Sequence, residues 1–335
     1  MGSVKIVNVP DISPGDPFVD VHSVDDRSVT WQRFSGLPRN AIERAVRRPR
    51  LSRYRAAWSA VGAARSADVI ISHLPRMTAA VEDMRALRKP DCVHLAFSFN
   101  FTDLPAGRDV ARMRRAFSGV DQFCVYSEYE ATTYPQLFGV DPARFERVLW
   151  TQETPRTDTT LDLPFDRFVV AIGGEGRDYA GMLAAARSDP STNWIVVARP
   201  STLFDDAPSN MKVFFNLPPE LTWGIAARAA AVIVPLKSDR TCCGHITIVS
   251  AQLLGLPVVS TRSMATTEYT VGIPGSTLIE PGAPDALAAA AAASVADAPR
   301  NRQLAESFVA EAKERYDRKH WAEYLRRFLQ TRIPA

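Results

Sequence analysis

Short apolar runs alternate with helix-like patterns along the whole chain. The candidate strands of the first half are VKIVNV (4–9), DVIIS (68–72), CVHLAF (92–97), QFCVY (122–126) and RVLW (147–150). Those of the second half are FVVAI (168–172), WIVVA (194–198), KVFF (212–215), AVIVP (231–235), PVVST (257–261) and TLIEP (277–281). Apolar strands separated by amphipathic helices predict an α/β protein with doubly wound parallel sheets.

A polar segment divides this pattern into two series. TQETPRTDTTLDLP (151–164) is rich in Thr, Pro and Asp, and it predicts a linker. We therefore expect an N-terminal domain over 1–153 and a second domain over 164–311. A helical pattern continues from Arg300 to Leu329, and we expect its last part, about 312–335, to pack on the first domain. Two facing Rossmann-like domains would enclose a cleft at the carboxyl ends of their strands, where such sheets bind ligands.

Composition and the first residues of the sequence predict the cellular compartment. The 335 residues are 46% hydrophobic and 23% charged, as in soluble globular proteins. The longest apolar tract, Ala286 to Val295, is too short to span a bilayer. The first residues lack the pattern of a signal peptide, so we expect a cytoplasmic protein. The cysteines at 92, 124, 242 and 243 fit reduced thiols.

The net charge of +3 is mild, but arginines are concentrated in one segment. Eight of them lie between Arg39 and Arg65, with Glu43 as the single acid, and Leu51, Tyr54 and Trp58 recur there at helical spacing. A basic segment with aromatic residues is suited to an anionic membrane surface or to a phosphorylated acceptor. For a cytoplasmic protein the membrane surface would be the inner face. A solvated helical face is the alternative. The rest of the chain supplies no basic groove, so nucleic acid is not an expected partner.

GGEGRDYAGMLAAA (173–186) follows a predicted strand and opens a predicted helix. Glycines allow close backbone approach, a helix N-terminus favours an anion, and Arg177 offers a guanidinium suited to phosphate. A nicotinamide site is the rival interpretation. The motif lacks the third glycine of that fingerprint, although Arg199 after the next strand leaves an NADP site open. Alternatively, the glycines only make a turn and Arg177 pairs with a neighbouring acid.

A second helix start follows the strand AVIVP. The loop LKSDRTCC leads to Gly244 and His245, and an apolar helical pattern runs on to Leu254. The free amides of His245, Ile246 and Thr247 are suited to a diphosphate. Adjacent cysteines are poor zinc chelators, and no second Cys/His pair has the usual spacing, so we expect no metal site. Cys243 is either a reactive thiol or a small buried residue.

Five segments, in order, resemble the GT-B nucleotide-sugar glycosyltransferases of the family 4-like group. They are ADVIISH, VYSEYEATTYPQLFGVDPARFERVLW, AIGGEGRDYAGMLAAAR, NMKVFFNLPPELTWGIAARAAAVIVPL and CGHITIVSAQLLGLPVVSTRSMATTEY. The resemblance is close over about residues 168–282 and looser over 60–153. It implies that the second domain binds a nucleotide diphosphate sugar, with a UDP-sugar favoured. The first domain would bind a saccharide, lipid or lipid-linked acceptor, in polysaccharide or glycolipid biosynthesis, with no cofactor or metal.

The resemblance also assigns roles to residues of the second domain. It implies that Gly174, Arg177 and the amides near Gly244 hold the diphosphate, and that Phe214 flanks the base. His245 and Thr247 would approach the sugar and its phosphate. The donor-binding residues are Gly174, Arg177, Phe214, Cys243, Gly244, His245, Ile246, Thr247, Ser250 and Glu268. Two glutamates that usually stand eight positions apart in this signature are replaced here by Cys242 and Ser250.

In the first domain, polar residues follow two predicted strands. His73 ends DVIIS, and CVHLAF runs into SFNFTDLP, where Ser98, Asn100 and Asp103 would face the cleft. Ser98 and Asn100 are candidate acceptor ligands. The catalytic candidates are Asp103, His73 and His245. Asp103 would be the base of an inverting enzyme, whereas the leaving phosphate would serve in a retaining one, which the resemblance favours.

Other interpretations remain for several of these residues. Asp103 is also a candidate turn or cap residue, and His73 a candidate packing residue at a strand end. His94, inside an apolar run, is expected to be a hydrogen-bonded core residue. Two other functions also stay open: an NDP-sugar epimerase or nucleotide-dependent oxidoreductase, and a catalytically silent GT-B binding protein.

Overall fold

The computed structural model describes residues 2–11, 21–46 and 50–333, with the side chain of Thr202 excepted. The chain forms two compact units. Unit 1 runs up to Leu149 and includes the residues from Arg318 onwards, and unit 2 runs from Trp150 to Asp317. The segment 151–164, predicted as a linker, lies within unit 2 and contains neither helix nor strand.

Unit 1 contains a seven-stranded sheet in the order β2-β3-β1-β4-β5-β6-β7, parallel except for the β2–β3 pair. Its strands are β1 (Ser3–Val9), β2 (Ser23–Val24), β3 (Arg27–Arg33), β4 (Val69–His73), β5 (Val93–Phe97), β6 (Gln122–Val125) and β7 (Phe145–Arg147). Its helices are α1 (Ala41–Ala45), α2 (Leu51–Ala63), α3 (Pro75–Arg88), α4 (Arg108–Phe117), α5 (Glu128–Phe138) and, from the end of the chain, α13 (Lys319–Arg332).

Unit 2 contains a six-stranded parallel sheet in the order β10-β9-β8-β11-β12-β13. Its strands are β8 (Val169–Ile172), β9 (Trp194–Ala198), β10 (Met211–Phe215), β11 (Val232–Val234), β12 (Val258–Thr261) and β13 (Ser276–Ile279). Its helices are α6 (Tyr179–Ser188), α7 (Pro219–Arg228), α8 (His245–Leu253), α9 (Thr267–Thr270), α10 (Pro284–Ala296), α11 (Ala298–Ser307) and α12 (Val309–Arg315).

The predicted α/β class and its apolar strands are confirmed, with three corrections. The strand expected at RVLW is β7, which begins two residues earlier and ends at Arg147. Trp150 already lies in unit 2, where its amide donates to Tyr269 Oη at 2.8 Å. The prediction missed β2 and β3. Both carry many polar residues, and β3 buries Val29 while Ser28, Thr30, Gln32 and Arg33 are exposed. A strand with one solvated face lacks the continuous apolar run of a central strand.

The C-terminal pattern is not one helix, since α11, α12 and α13 are separate. The last of them belongs to unit 1, which takes up the chain again at Arg318. The Trp321 indole packs edge-on against Phe97 at 5.2 Å between ring centroids, and its Nε1 donates to the Leu149 carbonyl at 2.8 Å. Trp321, Tyr324, Leu325 and Phe328 are all buried. The apolar face of α13 therefore packs on one face of the first sheet, and this contact buries the apolar side chains of the helix.

Candidate functional site

The glycine-rich loop after β8 is shaped around the side chain of Arg177. Gly173 and Gly176 have φ values of +121° and +67°, which other residues rarely adopt. A Cβ on Gly176 would lie 2.7 Å from Thr241 Cγ2 and 3.0 Å from Cys243 Cβ, so no side chain fits there. At Gly174 the nearest atom to an added Cβ is Arg199 Cδ, at 3.3 Å. The loop thus brings its backbone close to the loop that precedes α8.

Arg177 is buried, and all of its hydrogen bonds go to neutral groups. Nε donates to the Ile172 carbonyl at 3.2 Å, Nη1 to the Glu175 carbonyl at 3.2 Å, and Nη2 to Thr247 Oγ1 at 3.0 Å. Within the described residues no carboxylate pairs with it. The alternative interpretation, in which Arg177 forms an ion pair with a neighbouring acid, is therefore wrong for this part of the chain. Burial lowers the pKa of this guanidinium from its ordinary value. A buried cation without a counter-ion is costly unless a ligand supplies the negative charge.

The N-terminus of α8 lies beside this guanidinium. Gly244 precedes the helix with φ +104°, and no side chain caps the first turn, which leaves amide groups available to an anion. Thr247 is buried and accepts from Arg177, whereas Ile246 is 53% exposed. The structure therefore joins Arg177, in the loop of Gly174, to Thr247, in the first turn of the helix that follows Gly244 and contains Ile246. That these residues bind a donor stays a prediction.

His245 is buried and neutral. Its Nε2 lies 2.8 Å from the Ala265 carbonyl, and because a carbonyl only accepts, Nε2 carries the hydrogen. Its ring packs edge-on against Tyr269 at 4.9 Å. Burial lowers the pKa of His245 to about 4, so the imidazole is uncharged at neutral pH. It holds the segment after β12 against the start of α8.

The two positions that replace the usual glutamates are both buried. Cys242 is fully buried, while Cys243 is half-buried and lies next to Gly176. Ser250 is 1% exposed, and its Oγ accepts from Gln152 Nε2 at 2.5 Å. Gln152 lies in the segment 151–164, and nothing in the sequence pattern singled it out. Glu268, a predicted sugar contact, is half-buried in the first turn of α9, and its carbonyl accepts from Arg315 at 2.7 Å.

The aromatic residues at the end of β10 lie on opposite faces of the sheet. Phe214, predicted to flank a base, is half-buried and lies next to the Lys212 ammonium. Phe215 is 42% exposed and packs on Phe204, which in turn contacts Tyr179 at 5.1 Å between centroids. Sequence reasoning missed this second aromatic, since the alternation of a strand does not tell which face is solvated.

Arg199, on which the NADP alternative rested, is exposed and paired. Its Nη1 lies 2.6 Å from Glu175 Oε1, and both side chains are largely solvated. A 2′-phosphate would compete with this carboxylate, so the geometry does not favour an NADP site.

In unit 1, His73 lies under α13. It is 3% exposed, its Nε2 lies 2.7 Å from Asn8 Oδ1, and its ring packs edge-on against Phe97. Burial lowers its pKa to about 3. With Trp31, Ile71 and Leu325 these residues line a cavity of about 10 Å³, enough for one water molecule.

His94 is a hydrogen-bonded core residue, as predicted. Its Nδ1 lies 2.5 Å from Glu82 Oε1 and its Nε2 lies 2.8 Å from Ser72 Oγ. Ser72 Oγ is also hydrogen-bonded to Thr78 Oγ1, at 2.8 Å, and the Thr78 hydroxyl donates to the carbonyl of Leu74 at 3.2 Å. Leu74 has φ +70°, a strained value for a leucine. The network therefore supports the turn between β4 and α3.

The loop after β5 is anchored by two aromatic side chains. Phe99 and Phe101 are buried in a cluster of rings, and the Phe101 amide donates to Tyr134 Oη at 3.1 Å. Asn100, between the two rings, is half-buried, and Asp103, two residues after them, is exposed. Ser98 is buried at φ +53°, and its Oγ accepts from Tyr126 Oη at 2.5 Å. The predicted acceptor residues thus share one rigid loop, with Ser98 at its base.

Among the described residues, no three His, Cys, Asp or Glu side chains are arranged to hold a metal ion. Every described helix is too short or too polar to cross a bilayer.

Two doubly wound α/β units, with the last helix returned to the first, define the GT-B fold, and the chain has it. No protein-family model and no curated protein matches its sequence. Solved structures do match: HepE (Alr3699) of Anabaena in complex with UDP has a TM-score of 0.70 and 14% identity, with 98% of this chain and 100% of that chain covered. The same protein with UDP-glucose covers 98% and 99% at the same score and identity.

Two further structures are similar along nearly the whole chain. Sucrose-phosphate synthase of Thermosynechococcus elongatus has a TM-score of 0.69 and 14% identity, with 97% of this chain and 88% of that chain covered. WaaB, a lipopolysaccharide outer core galactosyltransferase in its apo form, has a TM-score of 0.64 and 10% identity over 98% and 100%. At these identities the likeness establishes the fold.

Proposed function

We propose that the protein is a glycosyltransferase that moves a sugar from a nucleotide diphosphate sugar to an acceptor hydroxyl. The observation that carries this proposal is the buried Arg177, which lies at the N-terminus of α8 and has no carboxylate partner within the described residues. A diphosphate supplies the negative charge that this guanidinium lacks, and the positive end of the α8 dipole adds to the attraction.

The donor we favour is a UDP-sugar. HepE, which shares the fold over 98% of this chain, has been determined with UDP and with UDP-glucose. The base would lie near the carboxyl end of β10, where Phe215 is exposed, and the diphosphate beside β8 and β11. Because the sheet order is β10-β9-β8-β11-β12, the sugar would follow near β12, where Glu268 lies.

For the reaction we propose retention of the anomeric configuration. The bond between the anomeric carbon and the β-phosphate oxygen breaks, and its electron pair leaves with UDP. The acceptor oxygen bonds to the same carbon and gives its proton to a phosphate oxygen. Arg177 and the α8 amides stabilise the charge that develops on the leaving group. His73 and His245 are weak bases, because burial lowers their pKa to about 3 and 4.

Asp103 is the base of the competing inverting reaction. It is exposed on the loop that Phe99 and Phe101 anchor, next to Asn100, a candidate acceptor ligand together with Ser98. Under retention, Asp103→Asn lowers the turnover by less than about tenfold, whereas loss of a general base lowers it about 10²–10⁴-fold. The NMR coupling constant of the anomeric proton in the product reports the stereochemistry independently. An inverted product would overturn the retention proposal.

We expect no metal requirement, because Arg177 and the α8 amides meet the charge of the diphosphate. Activity that EDTA abolishes and added Mg²⁺ or Mn²⁺ restores would contradict this expectation.

The binding step is tested by thermal shift with UDP, GDP, ADP and dTDP. At least one of them raises the melting temperature, and Arg177→Gln abolishes the increase. Arg187→Gln is the matched control, since Arg187 is exposed at the other end of α6 and pairs with Asp206 at 3.1 Å. Binding without release of nucleoside diphosphate from any donor would indicate a catalytically silent protein, for which the buried Cys242 and Ser250 already give a reason.

We also propose that unit 1 contacts an anionic membrane surface. Of the eight arginines that suggested this, Arg47 and Arg48 lie outside the described residues. Arg53 and Arg55 are bound to Asp11 and Glu43 inside the unit. The Arg88 guanidinium stacks on Trp58, 3.4 Å from the ring centroid, and Trp58 stays 46% exposed. The ion pairs therefore neutralise two of the arginines on which the sequence-based hypothesis rested.

What remains for the membrane is a smaller patch before and within α1. Leu37 and Ile42 are 40% and 68% exposed, and Arg39 and Arg44 are exposed beside them. Apolar side chains among cations are suited to an anionic bilayer surface. The protein should float with vesicles of phosphatidylcholine and phosphatidylglycerol, and Ile42→Ser with Arg44→Gln should prevent this. Equal flotation of this variant and the unchanged protein would overturn the proposal.

A further inference from the structure

The first turns of α2 and α3 carry arginines where helices usually carry acids. Arg50 is the N-cap of α2 and Arg53 lies in its first turn, while Arg76 is the second residue of α3. Neither helix has an acidic residue in its first turn, and neither cap residue makes a side-chain cap bond. Cations at a helix N-terminus are repelled by its partial positive charge. Such an arrangement is stabilised when an anion binds.

Both helix starts are close to Asp11, directly after β1. Arg53 donates to Asp11 Oδ2 from Nε at 3.0 Å and from Nη2 at 2.5 Å. Arg50 Nη1 lies 3.5 Å from the same oxygen, and its side chain is 34% exposed. A Cβ on Gly36 would lie 2.6 Å from Asp11 Oδ1 and 2.7 Å from Met77 Cε, so the first turn of α3 borders the same carboxylate.

The charges of this cluster do not cancel. Arg50 and Arg53 both pair with the Asp11 carboxylate, which leaves a surplus of one positive charge, and Arg76 adds a second unneutralised cation in the neighbouring first turn of α3. Arg53 is hydrogen-bonded to Asp11, whereas the Arg50 guanidinium makes only a long ion pair with it, at 3.5 Å, and no side-chain hydrogen bond within the described residues. Arg76 is exposed, without an ion pair in the described part of the chain. Two guanidinium groups are therefore available to a ligand.

A second observation concerns Asp11 itself. Its side chain is 5% exposed, and Oδ1 has no hydrogen-bond donor within the described part of the chain. A buried carboxylate oxygen without a donor is rare and costly. It requires a group that carries a hydroxyl or another polar hydrogen. The ligand that meets both needs has an anion for the arginines and a hydroxyl for Asp11.

We propose that this cluster is a subsite for the phosphate of a phosphorylated, hydroxyl-bearing acceptor. It lies at the carboxyl edge of the first sheet, where open α/β sheets bind ligands. That the bound molecule is an acceptor rests on the proposed function, whereas the binding of a phosphate at this cluster does not. The phosphate belongs either to a soluble sugar phosphate or to a lipid headgroup, and the chemistry of recognition is the same.

The test measures binding of glucose 6-phosphate and of glucose by calorimetry, with UDP present so that the Arg177 site is filled. Glucose 6-phosphate should bind and glucose should not. Arg50→Gln and Arg76→Gln should each weaken binding about tenfold or more, the loss of one charge-assisted hydrogen bond. The matched control is Arg65→Gln at the opposite end of α2, which should leave binding unchanged.

A second arm uses vesicles of phosphatidylcholine with and without phosphatidic acid. If the phosphate comes from a lipid, the vesicles with phosphatidic acid bind, and Arg50→Gln with Arg76→Gln weakens that binding. The inference is wrong if neither probe binds, or if these variants bind both probes as the unchanged protein does. Retained UDP binding in those variants shows that unit 2 is intact, so this failure is distinct from a failure of the proposed donor site.

Discussion

Replacing Arg177 with glutamine should abolish nucleotide binding while leaving the fold nearly as stable. A guanidinium has five N–H groups, and three of them are used by Ile172, Glu175 and Thr247. Two remain for the diphosphate. At about 1.5–3 kcal/mol for each charge-assisted hydrogen bond, their loss costs about 3–6 kcal/mol, or about 10²–10⁴-fold in the dissociation constant of UDP.

The effect on folding is smaller because two contributions oppose each other. Without the guanidinium, the carbonyls of Ile172 and Glu175 and the hydroxyl of Thr247 each lose one donor. Each lost hydrogen bond lowers the free energy of unfolding by about 1 kcal/mol. It also removes a buried charge without a counter-ion, whose desolvation lowers its pKa and destabilises the folded state. We expect the free energy of unfolding to change by less than about 2 kcal/mol in either direction.

Calorimetric titration with UDP and denaturant unfolding of the same samples provide the assay. Arg187→Gln removes a charge of the same type from the exposed end of α6, and it should change neither quantity appreciably. The reasoning would be refuted by UDP binding that survives Arg177→Gln within a factor of three. It would also be refuted by unfolding of that variant, since Arg177 would then be a structural residue.

Three further predictions concern the same unit. Phe215→Ala should weaken UDP binding by about 1–3 kcal/mol if the uracil base stacks on this ring. Phe214→Ala, on the opposite face of the sheet, should leave the dissociation constant of UDP unchanged. Both constants are measured by calorimetry, and a larger loss in Phe214→Ala would assign base stacking to Phe214 instead. Gly176→Ala should destabilise the protein and weaken UDP binding more than Gly272→Ala, because both have positive φ but only Gly176 would bring its Cβ within 3 Å of a neighbour; equal losses in thermal unfolding would contradict this. His245 has its folded pKa lowered to about 4, so its stabilisation is complete above pH 6.5 and is lost as the pH falls towards 4. Between pH 7.5 and 5.5 the free energy of unfolding should fall by roughly 1 kcal/mol less in His245→Gln than in the unchanged protein. Denaturant unfolding measures both losses, and an identical loss would disprove the assignment.

The elements of the fold were predictable where burial is symmetric. Strands such as β8 and β12 are buried on both faces and therefore read as continuous apolar runs. Strand β3, next to the short edge strand β2, is polar on its solvated face, and its apolar residues Val29 and Trp31 are too few for the pattern to be recognised. The break between α12 and α13 was also hidden, since helical periodicity continues through it.

The candidate donor site could be proposed from local chemistry, because glycines and helix starts act through nearby backbone. Arg177 and Thr247 are far apart in sequence, yet both were identified from their own loops. Contacts that depend on tertiary structure were not predictable. Gln152 reaches Ser250 from a segment without regular structure, and Asp11 meets Arg53 across the first unit. Their partners become neighbours only when the sheets form.

The most direct test of glycosyl transfer is the release of nucleoside diphosphate from a panel of UDP-, GDP-, ADP- and dTDP-sugars, quantified by chromatography. Slow hydrolysis to water is sufficient, so the acceptor need not be known. The account predicts release from at least one donor, with UDP-sugars favoured, abolished by Arg177→Gln and retained by Arg187→Gln. Absence of release and of binding for every donor, from protein shown to be folded, would contradict it.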